Sequence, residues 1–428
     1  MGNEASTQGQ GKKIPNNIEL KWIKANKCPF VPREGQAACA HGKKMYIFGG
    51  VVFNQDEGHD NETNELIVYD TVSGTWIKEV YSEGCEPPSP RSGACLVSVG
   101  DHLYLFGGLS QFSGWMNDFY QYDISSKTWH LLSSQNAPSP RDKVLSCVIE
   151  KIIYVFGGFG PIDNDPNAGV VLEEDGDDDE YEDINELQQT QDAANFTWSN
   201  ELFCFDTVSK TWKVIHPANG FGPSPRAAHS LSSYINHIDN ECYLFVFGGR
   251  DSVSRQNDLW RFTCSSQTWE KVDAVGCYPE ARSFHSMVTV GHRLVIHGGR
   301  GITNQHFSDV NIFDTKTNEW LQPSNLTDSE TLPAVGLHSM AVINGNVLMF
   351  GGTSTLDPAT GTCTQFFNDV FLLNVDLVLK GEAILQKDDS NAIPGKENLP
   401  TMLNLKPNEQ LHAKTSATSS STGSVVIQ

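Results

Sequence analysis

Tyr46-Ile-Phe-Gly-Gly50 and its close variants occur six times along this 428-residue chain, and this repetition indicates the architecture. The other five copies are Tyr104 to Gly108, Tyr154 to Gly158, Phe245 to Gly249, Leu294 to Gly299 and Val347 to Gly352. Successive second glycines are 58, 50, 91, 50 and 53 residues apart. A period of about 50 residues indicates a β-propeller in which each repeat is one blade. The loops on one face of such a ring commonly bind its ligand.

The residues that follow each Gly-Gly pair recur as well. An Asn/Ser-Asp/Glu pair opens a strand, a tryptophan lies in the next strand, and a turn with arginine closes the unit. The tryptophans are Trp76, Trp129, Trp212, Trp269 and Trp320, and the turns contain Arg91, Arg141, Arg226 and Arg282. Short apolar runs bounded by Gly, Asn, Asp and Pro predict four antiparallel strands per unit. We expect the tryptophans to fill the wedges between neighbouring blades.

The tryptophan of the sixth unit is missing from its expected place. That unit ends at Asn374 without one, whereas Trp22 lies 11 residues before Arg33 with the spacing of the missing residue. We therefore predict an all-β fold, a six-bladed propeller over residues 19–376. Its N-terminal strand closes the last blade and hides both sheet edges. The combined pattern resembles the kelch repeat from about residue 20 to 375, and a disordered or short helical tail is expected after it.

The third unit contains an acidic insertion, residues 161–195. It includes Glu173 to Asp183, a run of acidic residues without apolar periodicity, which predicts a mobile loop. One interpretation is a solvated insertion, and the other is a segment that screens the adjacent face. The glycine that an EF-hand requires at its sixth position is absent.

Charge and cysteine content restrict the class of protein. The net charge of −22 argues against nucleic-acid binding and against broad attachment to anionic lipid. Ten cysteines lack CxxC spacing, and Cys95, Cys147 and Cys204 fall on predicted strands. This favours a reducing compartment, cytoplasmic or nuclear, with buried thiols. No apolar run is long enough to span a bilayer, and no secretory signal is evident.

The first 18 residues predict a flexible N-terminus with a candidate lipidation site. Met1 to Ser6 fits the myristoylation acceptor, with Gly2 as the modified residue. One acyl chain binds a membrane only marginally. We therefore expect membrane contact only if Gly2 is myristoylated, and then only transient contact.

The histidines do not predict an enzyme. His229, His285 and His338 each precede serine at the same position of a blade, so a structural role that recurs in every unit explains them. No Cys/Tyr/His or Glu/Asp/His set has the spacing of a copper or iron site. We expect no cofactor, no metal and no catalytic residue.

The arginines of two units break the repeat and predict a binding site. Arg250 follows its Gly-Gly pair directly, Arg255 lies in the same short loop, and Ser283 opens the next unit. These loops lie on one face of the ring, so two guanidiniums and a hydroxyl converge on one anion. The alternative is a pair of surface arginines bound to Asp251 or Asp258. Arg300 also follows Gly-Gly, but without a second arginine.

The stretches around these residues resemble the kelch-domain substrate receptors of cullin-2 RING ubiquitin ligases, which read C-terminal glycine degrons. The resemblance extends from Ser139 to His285 and implies that Arg250, Arg255 and Ser283 hold the terminal carboxylate of a peptide. It also implies a pocket lined by Lys143, Phe159, Trp198 and Phe284. Two positions depart from the family, since tyrosine is usual at Phe159 and tryptophan at Phe284.

The tail, residues 377–405, resembles the adaptor-binding boxes of that family. Leu377, Gly381 and Leu385 have the spacing of an elongin-binding box, although glycine replaces the usual cysteine. Leu399, Pro400 and Leu403 are similar to the core of a cullin-2 box. The resemblance implies elongin B/C and cullin 2 as partners. Residues 406–428, which are rich in Ser and Thr towards the end, are expected to be disordered.

These patterns lead to one leading hypothesis and two alternatives. The leading hypothesis is a non-catalytic substrate-recognition subunit of a cullin-RING E3 ubiquitin ligase that binds C-terminal degrons. The first alternative is a kelch adaptor, transiently membrane-associated through Gly2, that binds a folded partner with the same face. The second is a metal-dependent enzyme, which predicts a bound transition metal. The substrates and the preferred terminal residues are left open.

Overall fold

Six antiparallel sheets, blades 1 to 6, form the body of the protein. The computed structural model describes residues 18–54, 59–133, 135–162, 195–357 and 363–380. The strands of each blade are given from the innermost outward. Blade 1 contains Ala37–His41, Lys44–Phe48, Leu66–Asp70 and Thr75–Lys78, and blade 2 contains Cys95–Val99, His102–Phe106, Phe119–Asp123 and Thr128–Leu132. Blade 3 contains Leu145–Ile149, Ile152–Phe156, Leu202–Asp206 and Thr211–Ile215. Blade 4 contains Ser230–Asn236, Glu241–Phe247, Leu259–Thr263 and Thr268–Lys271. Blade 5 contains Ser286–Val290, Arg293–His297, Val310–Asp314 and Glu319–Leu321, and a fifth strand, Val275–Gly276, pairs parallel to the last of these. Blade 6 contains Ser339–Ile343, Asn346–Phe350, Val370–Asn374 and Trp22–Lys24.

Short strands lie on one face of the ring. Most follow a Gly-Gly pair, whereas Arg33–Glu34 and Arg282–Ser283 precede the inner strand of their blade. They pair as Arg33–Glu34, Val51–Asn54 and His59–Glu62; Leu109–Ser110 and Gly114–Trp115; Phe159–Pro161 and Phe196–Trp198; Arg282–Ser283 and Arg300–Gly301; and Thr353–Leu356 and Cys363–Phe366. Outside this set, Glu19–Leu20 pairs with Ser324–Asn325, and one helix spans Val375–Leu379. Because each of these chain reversals begins at the same end of a second blade strand, they share a face.

The ring is closed by the N-terminal strand, as the sequence predicts. Trp22–Lys24 pairs antiparallel with the third strand of blade 6, and Trp22 lies opposite Leu373. The inner strand of every blade contacts the inner strands of both its neighbours, including blades 6 and 1. All-β architecture with six blades is therefore confirmed.

A cycle of six backbone hydrogen bonds encircles the axis on the face that bears the short strands. Each amide donates to the carbonyl of the preceding member at 2.8 to 3.0 Å, and the first donates to the last. All six residues have positive φ. The members are Gly35, Gly93, Lys143, Ala228, Phe284 and Leu337. Only two are glycines, so blades 3 to 6 hold ordinary side chains in a left-handed conformation that costs about 1–2 kcal/mol per residue.

The wedges between blades are filled by the outer-strand tryptophans, which confirms that prediction. Each ring packs on the phenylalanine before the Gly-Gly pair of the preceding blade, with ring centroids 5.1 to 5.5 Å apart. Trp22 belongs to the cluster that contains Val295 and Ile312 of blade 5. Aromatic area buried between sheets is a large contribution to the stability of such a core.

In blades 1 to 5 the repeated arginine fastens the segment that enters a blade to the second and third strands of that blade. The Arg226 guanidinium donates to the carbonyl of Gly248 at 2.9 Å and pairs with Asp258 at 2.6 Å. Equivalent contacts join Arg33 to Gly49 and Glu65, Arg91 to Gly107 and Asp118, Arg141 to Gly157 and Glu201, and Arg282 to Gly298 and Asp309. Blade 6 lacks this arginine, and its Asp369 pairs instead with Lys24 of the closing strand at 3.1 Å.

Several predicted features lie outside the described residues. The insertion enters and leaves through one hairpin of blade 3, where Ile162 N donates to the Asn195 carbonyl at 2.8 Å. Most of that insertion and Gly2 fall outside the described ranges.

All ten cysteines are described, and none forms a disulfide. Within the described part of the chain, no helix has the length and apolarity needed to cross a bilayer.

Candidate functional site

Arg250 and Arg255 face each other across the turn that follows the Gly-Gly pair of blade 4. Their backbones form an antiparallel bridge, and Arg250 also exchanges two backbone hydrogen bonds with Ala227 at 2.9 and 3.0 Å. The Arg255 Nε donates to the Ser283 Oγ at 2.9 Å. Arg255 is 9% exposed and Ser283 is fully buried. The structure thus brings together the three residues predicted to hold a carboxylate.

The two aspartates of this loop are held by other groups. Asp251 accepts the backbone amides of Val253 and Ser254, both at 2.9 Å, so it caps its own turn. Burial opposes ionisation, yet these hydrogen bonds keep the pKa of Asp251 below its usual value. Asp258 pairs with Arg226. The arrangement therefore uses both carboxylates to shape the loop.

Phe159 and Trp198 form the aromatic part of the site in blade 3. They lie opposite each other on paired strands, with ring centroids 4.9 Å apart. Phe159 is 4% exposed and shares a cluster with Trp115 and Ala227. Since Ala227 pairs with Arg250, this aromatic wall adjoins the arginine loop.

Lys143 and Phe284 are members of the axial hydrogen-bond cycle, separated by Ala228 alone. Their φ values are 50° and 61°, so both side chains project from a left-handed backbone. Both residues line a cavity of about 220 Å³ at the centre of the ring. All seven residues predicted for the pocket thus belong to blades 3 to 5 on one face.

Asp142 is a residue of the site that the sequence did not single out. Its Oδ1 accepts the Trp115 Nε1–H at 3.0 Å, and its Oδ2 contacts the Lys143 ammonium. Asp142 is 2% exposed. It therefore links the Lys143 ammonium to the Trp115 indole. The sequence does contain a hint of this role, because Asp142 immediately precedes Lys143 in the motif that resembles the family.

Arg300, which the sequence shows after Gly-Gly without assigning it a role, and His306, which sequence reasoning missed, extend the site into blade 5. Ser283 pairs with Arg300 in the short strands, and Arg300 forms a further bridge with His306. The Arg300 guanidinium lies over the Phe284 ring, 5.2 Å from its centroid. Burial and the positive charges of Arg300 and Arg255 lower the pKa of His306 to about 4. Its imidazole is consequently neutral at physiological pH.

The described residues contain no group of three or more His, Cys, Asp or Glu side chains placed to hold a metal ion. The repeated histidines are buried instead. His285 Nε2 is 2.8 Å from Ser230 Oγ, and His338 Nε2 is 3.2 Å from His297 Nδ1. Burial and the nearby positive charge of Arg226 lower the pKa of His229 to about 3.

Only the first residue of the predicted adaptor boxes is described. Leu377 lies in the helix Val375–Leu379, is half-buried and packs against the core between blades 5 and 6. Arg293 donates to the Val378 carbonyl at 2.5 Å and so holds the end of this helix. Gly381, Leu385, Leu399, Pro400 and Leu403 lie outside the described residues.

Comparison with known proteins places this geometry in a family. The model described as "KLHDC2/KLHL20/DRC7 Kelch-repeats domain" matches residues 15–191 and 188–378. The chain belongs to the kelch-repeat family. Its kelch ring is similar to Kelch domain-containing protein 1 of Mus musculus, at 30% identity over 79% of this chain and 80% of that protein. Kelch domain-containing protein 2 is 31% identical in Bos taurus and 29% in Homo sapiens, over 76% of each chain. These relationships support a protein-interaction role for the kelch ring.

Proposed function

We propose that this kelch protein binds the C-terminal tail of its partners, with the terminal carboxylate held by Arg250, Arg255 and Ser283. The observation that carries the proposal is the buried Arg255–Ser283 contact beside the Arg250 bridge. A guanidinium presents a planar fork of donors that matches a carboxylate, and such charge-assisted bonds are worth about 1.5–3 kcal/mol each. A chain terminus reaches this enclosed position more readily than a surface loop does.

The remaining pocket residues suit the last residues of such a tail. Phe159, Trp198 and Phe284 offer apolar walls, and Lys143, held by Asp142, offers a donor for a peptide carbonyl. Gly-Gly is the first sequence to test, because the resemblance implies a glycine-type degron. Phenylalanine at 159 and 284 removes one hydroxyl and one indole relative to the family, so we expect the walls to be more apolar.

The test compares a fluorescent decapeptide ending in Gly-Gly with its C-terminally amidated twin. We expect binding at micromolar or lower Kd for the acid, and a loss of at least about tenfold on amidation, since one charged hydrogen bond corresponds to roughly that factor. Equal binding of both peptides would instead favour the adaptor that grips a folded partner. Binding of neither would remove the degron interpretation.

We further propose that the bound protein is presented to a cullin-2 RING ligase through the tail boxes, which makes the chain a non-catalytic substrate receptor. The order of the two motifs after the propeller supports this part. Full-length protein should retain elongin B/C on an affinity resin, and Leu385→Asp should abolish that retention. Leu411→Asp, beyond both boxes, is the matched control. Leu377 is a poor probe, because its packing against the propeller core confounds the result. Absence of elongin from the parent pull-down would contradict the proposal.

A further inference from the structure

We propose that Arg300 and His306 form a second anion-binding pair, which accepts an acidic side chain close to the C-terminus of the bound peptide. The inference rests on the proposed function, because it requires the terminal carboxylate to occupy the neighbouring Arg250–Arg255 pair. It adds a substrate class: tails that carry Asp or Glu a few residues before the terminus.

Blade 5 repeats the arrangement of blade 4 at this point. Arg250 and Arg300 each follow a Gly-Gly pair directly, and each begins a tight chain reversal. The reversal returns to form a backbone bridge, Arg250 with Arg255 and Arg300 with His306. Blade 5 therefore presents an arginine and an imidazole where blade 4 presents two arginines.

The two pairs meet at Ser283. Its hydroxyl accepts from Arg255, and its backbone pairs with Arg300 across the short strands. Residues opposite each other on antiparallel strands have Cα atoms about 4.5–5.5 Å apart. His306 is close enough to Arg255 and Arg300 for both charges to act on its imidazole. A ligand whose carboxylate contacts Ser283 thus lies within one residue's length of the second pair.

Arg300 is oriented but retains donors for a ligand. Its guanidinium lies over the Phe284 ring, which restricts the plane of the donor fork. Among the described residues its Nε is buried without a hydrogen-bond partner. A buried donor of this kind carries a desolvation cost that an incoming acceptor removes. Arg300 as a whole is partly exposed, so an acceptor can approach the guanidinium from solvent.

A single terminal carboxylate has too few acceptor sites to bind both the Arg250–Arg255 pair and the Arg300–His306 pair. Its two oxygens offer about four lone-pair sites. The forked guanidiniums of Arg250 and Arg255 together with the Ser283 hydroxyl supply enough donors for these sites. Arg300 and His306 therefore suit a second carboxylate on the same ligand. An Asp or Glu side chain in the tail supplies that group without a second molecule.

The experiment compares peptides that end in Gly-Gly and carry Glu or Gln at one of the third to sixth positions from the C-terminus. We expect one register in which Glu binds the parent protein at least about fivefold more tightly than Gln, the upper range of a partly exposed ion pair. Arg300→Gln should bring that Glu/Gln ratio to about one. The ratio is compared within each protein, because the substitution also removes the contact with the Phe284 ring. Arg300→Lys, which keeps the charge, should retain part of the ratio.

Arg261→Gln is the matched control, because Arg261 lies on the third strand of blade 4, away from this face, and pairs with Glu270. It should leave the ratio unchanged. If every Glu peptide binds like its Gln twin while amidation still abolishes binding, the second pair is refuted and the proposed function survives. If amidation has no effect, the proposed function itself fails.

Discussion

Arg255→Ala is expected to weaken binding of a Gly-Gly-terminated peptide by about a hundredfold or more, because it removes the buried member of the arginine pair. Arg255 is 9% exposed and bonded to Ser283, so its guanidinium is already desolvated and positioned. Breaking one partner of a buried charge pair costs about 3–5 kcal/mol, since the remaining charge is left uncompensated. Fluorescence anisotropy with the acid and amide peptides measures this loss directly.

A second variant separates binding from folding in this experiment. Ser283→Ala removes only the hydroxyl that accepts from Arg255 at 2.9 Å, so we expect a smaller loss, about 1 kcal/mol or fivefold. Circular dichroism melts of both variants show whether the propeller remains intact. An Arg255→Ala protein that melts like the parent and binds the acid peptide equally well would refute the carboxylate site.

Stability should fall steeply between pH 6.5 and pH 5. Burial holds the pKa values of five histidines below 6.5, and nearby arginines add to the effect for all of them except His338. The five are His229, His285, His297, His306 and His338. In the unfolded chain these imidazoles bind protons below about pH 6.5, whereas in the folded ring they stay neutral. The unfolded state therefore binds more protons, and the free energy of unfolding decreases as the pH falls.

The expected size follows from the same proton count. One pH unit below the unfolded pKa, each such histidine costs about 1.4 kcal/mol, so five cost about 7 kcal/mol at pH 5.5. Urea unfolding at pH 7.5 and 5.5 measures the difference. His229→Gln should reduce the pH dependence by about one fifth of that amount. His130→Gln, at an exposed position of blade 2, should leave it unchanged. A free energy of unfolding that stays constant over this range would contradict the prediction.

The blade architecture and its closure were predictable because their signals are local. The Gly-Gly pairs, tryptophans and arginines each recur at one position of the unit, and each makes the same contact in successive blades, as Arg226 does with Gly248 and Asp258. Trp22 was assigned to blade 6 by spacing alone, and its strand pairs there. Because each blade makes the same contact, it needs the same residue at the same position, so the spacing of these residues was sufficient to predict the blades and the closing strand.

The candidate site was only partly predictable, because its residues depart from the repeat. Arg250 and Arg255 were recognisable as a departure within one short loop. His306 was not, since the sequence gives no indication that an imidazole six residues after Arg300 returns to form a bridge with it. Asp142 lies beside Lys143 in the motif that resembles the family, but its contacts with Trp115 and Lys143 are evident only from the structure.

The fold class, the number of blades, the closing strand and the face that carries the arginines follow from the sequence. Only the three-dimensional arrangement shows which of those arginines share Ser283, that Lys143 and Phe284 belong to one axial hydrogen-bond cycle, and that Leu377 packs on the core. The difference arises from the distance along the chain over which each feature is encoded. Strand periodicity and turns are encoded within a few consecutive residues, whereas the site is assembled from loops of three blades, and Lys143 and Phe284 lie more than 100 residues apart.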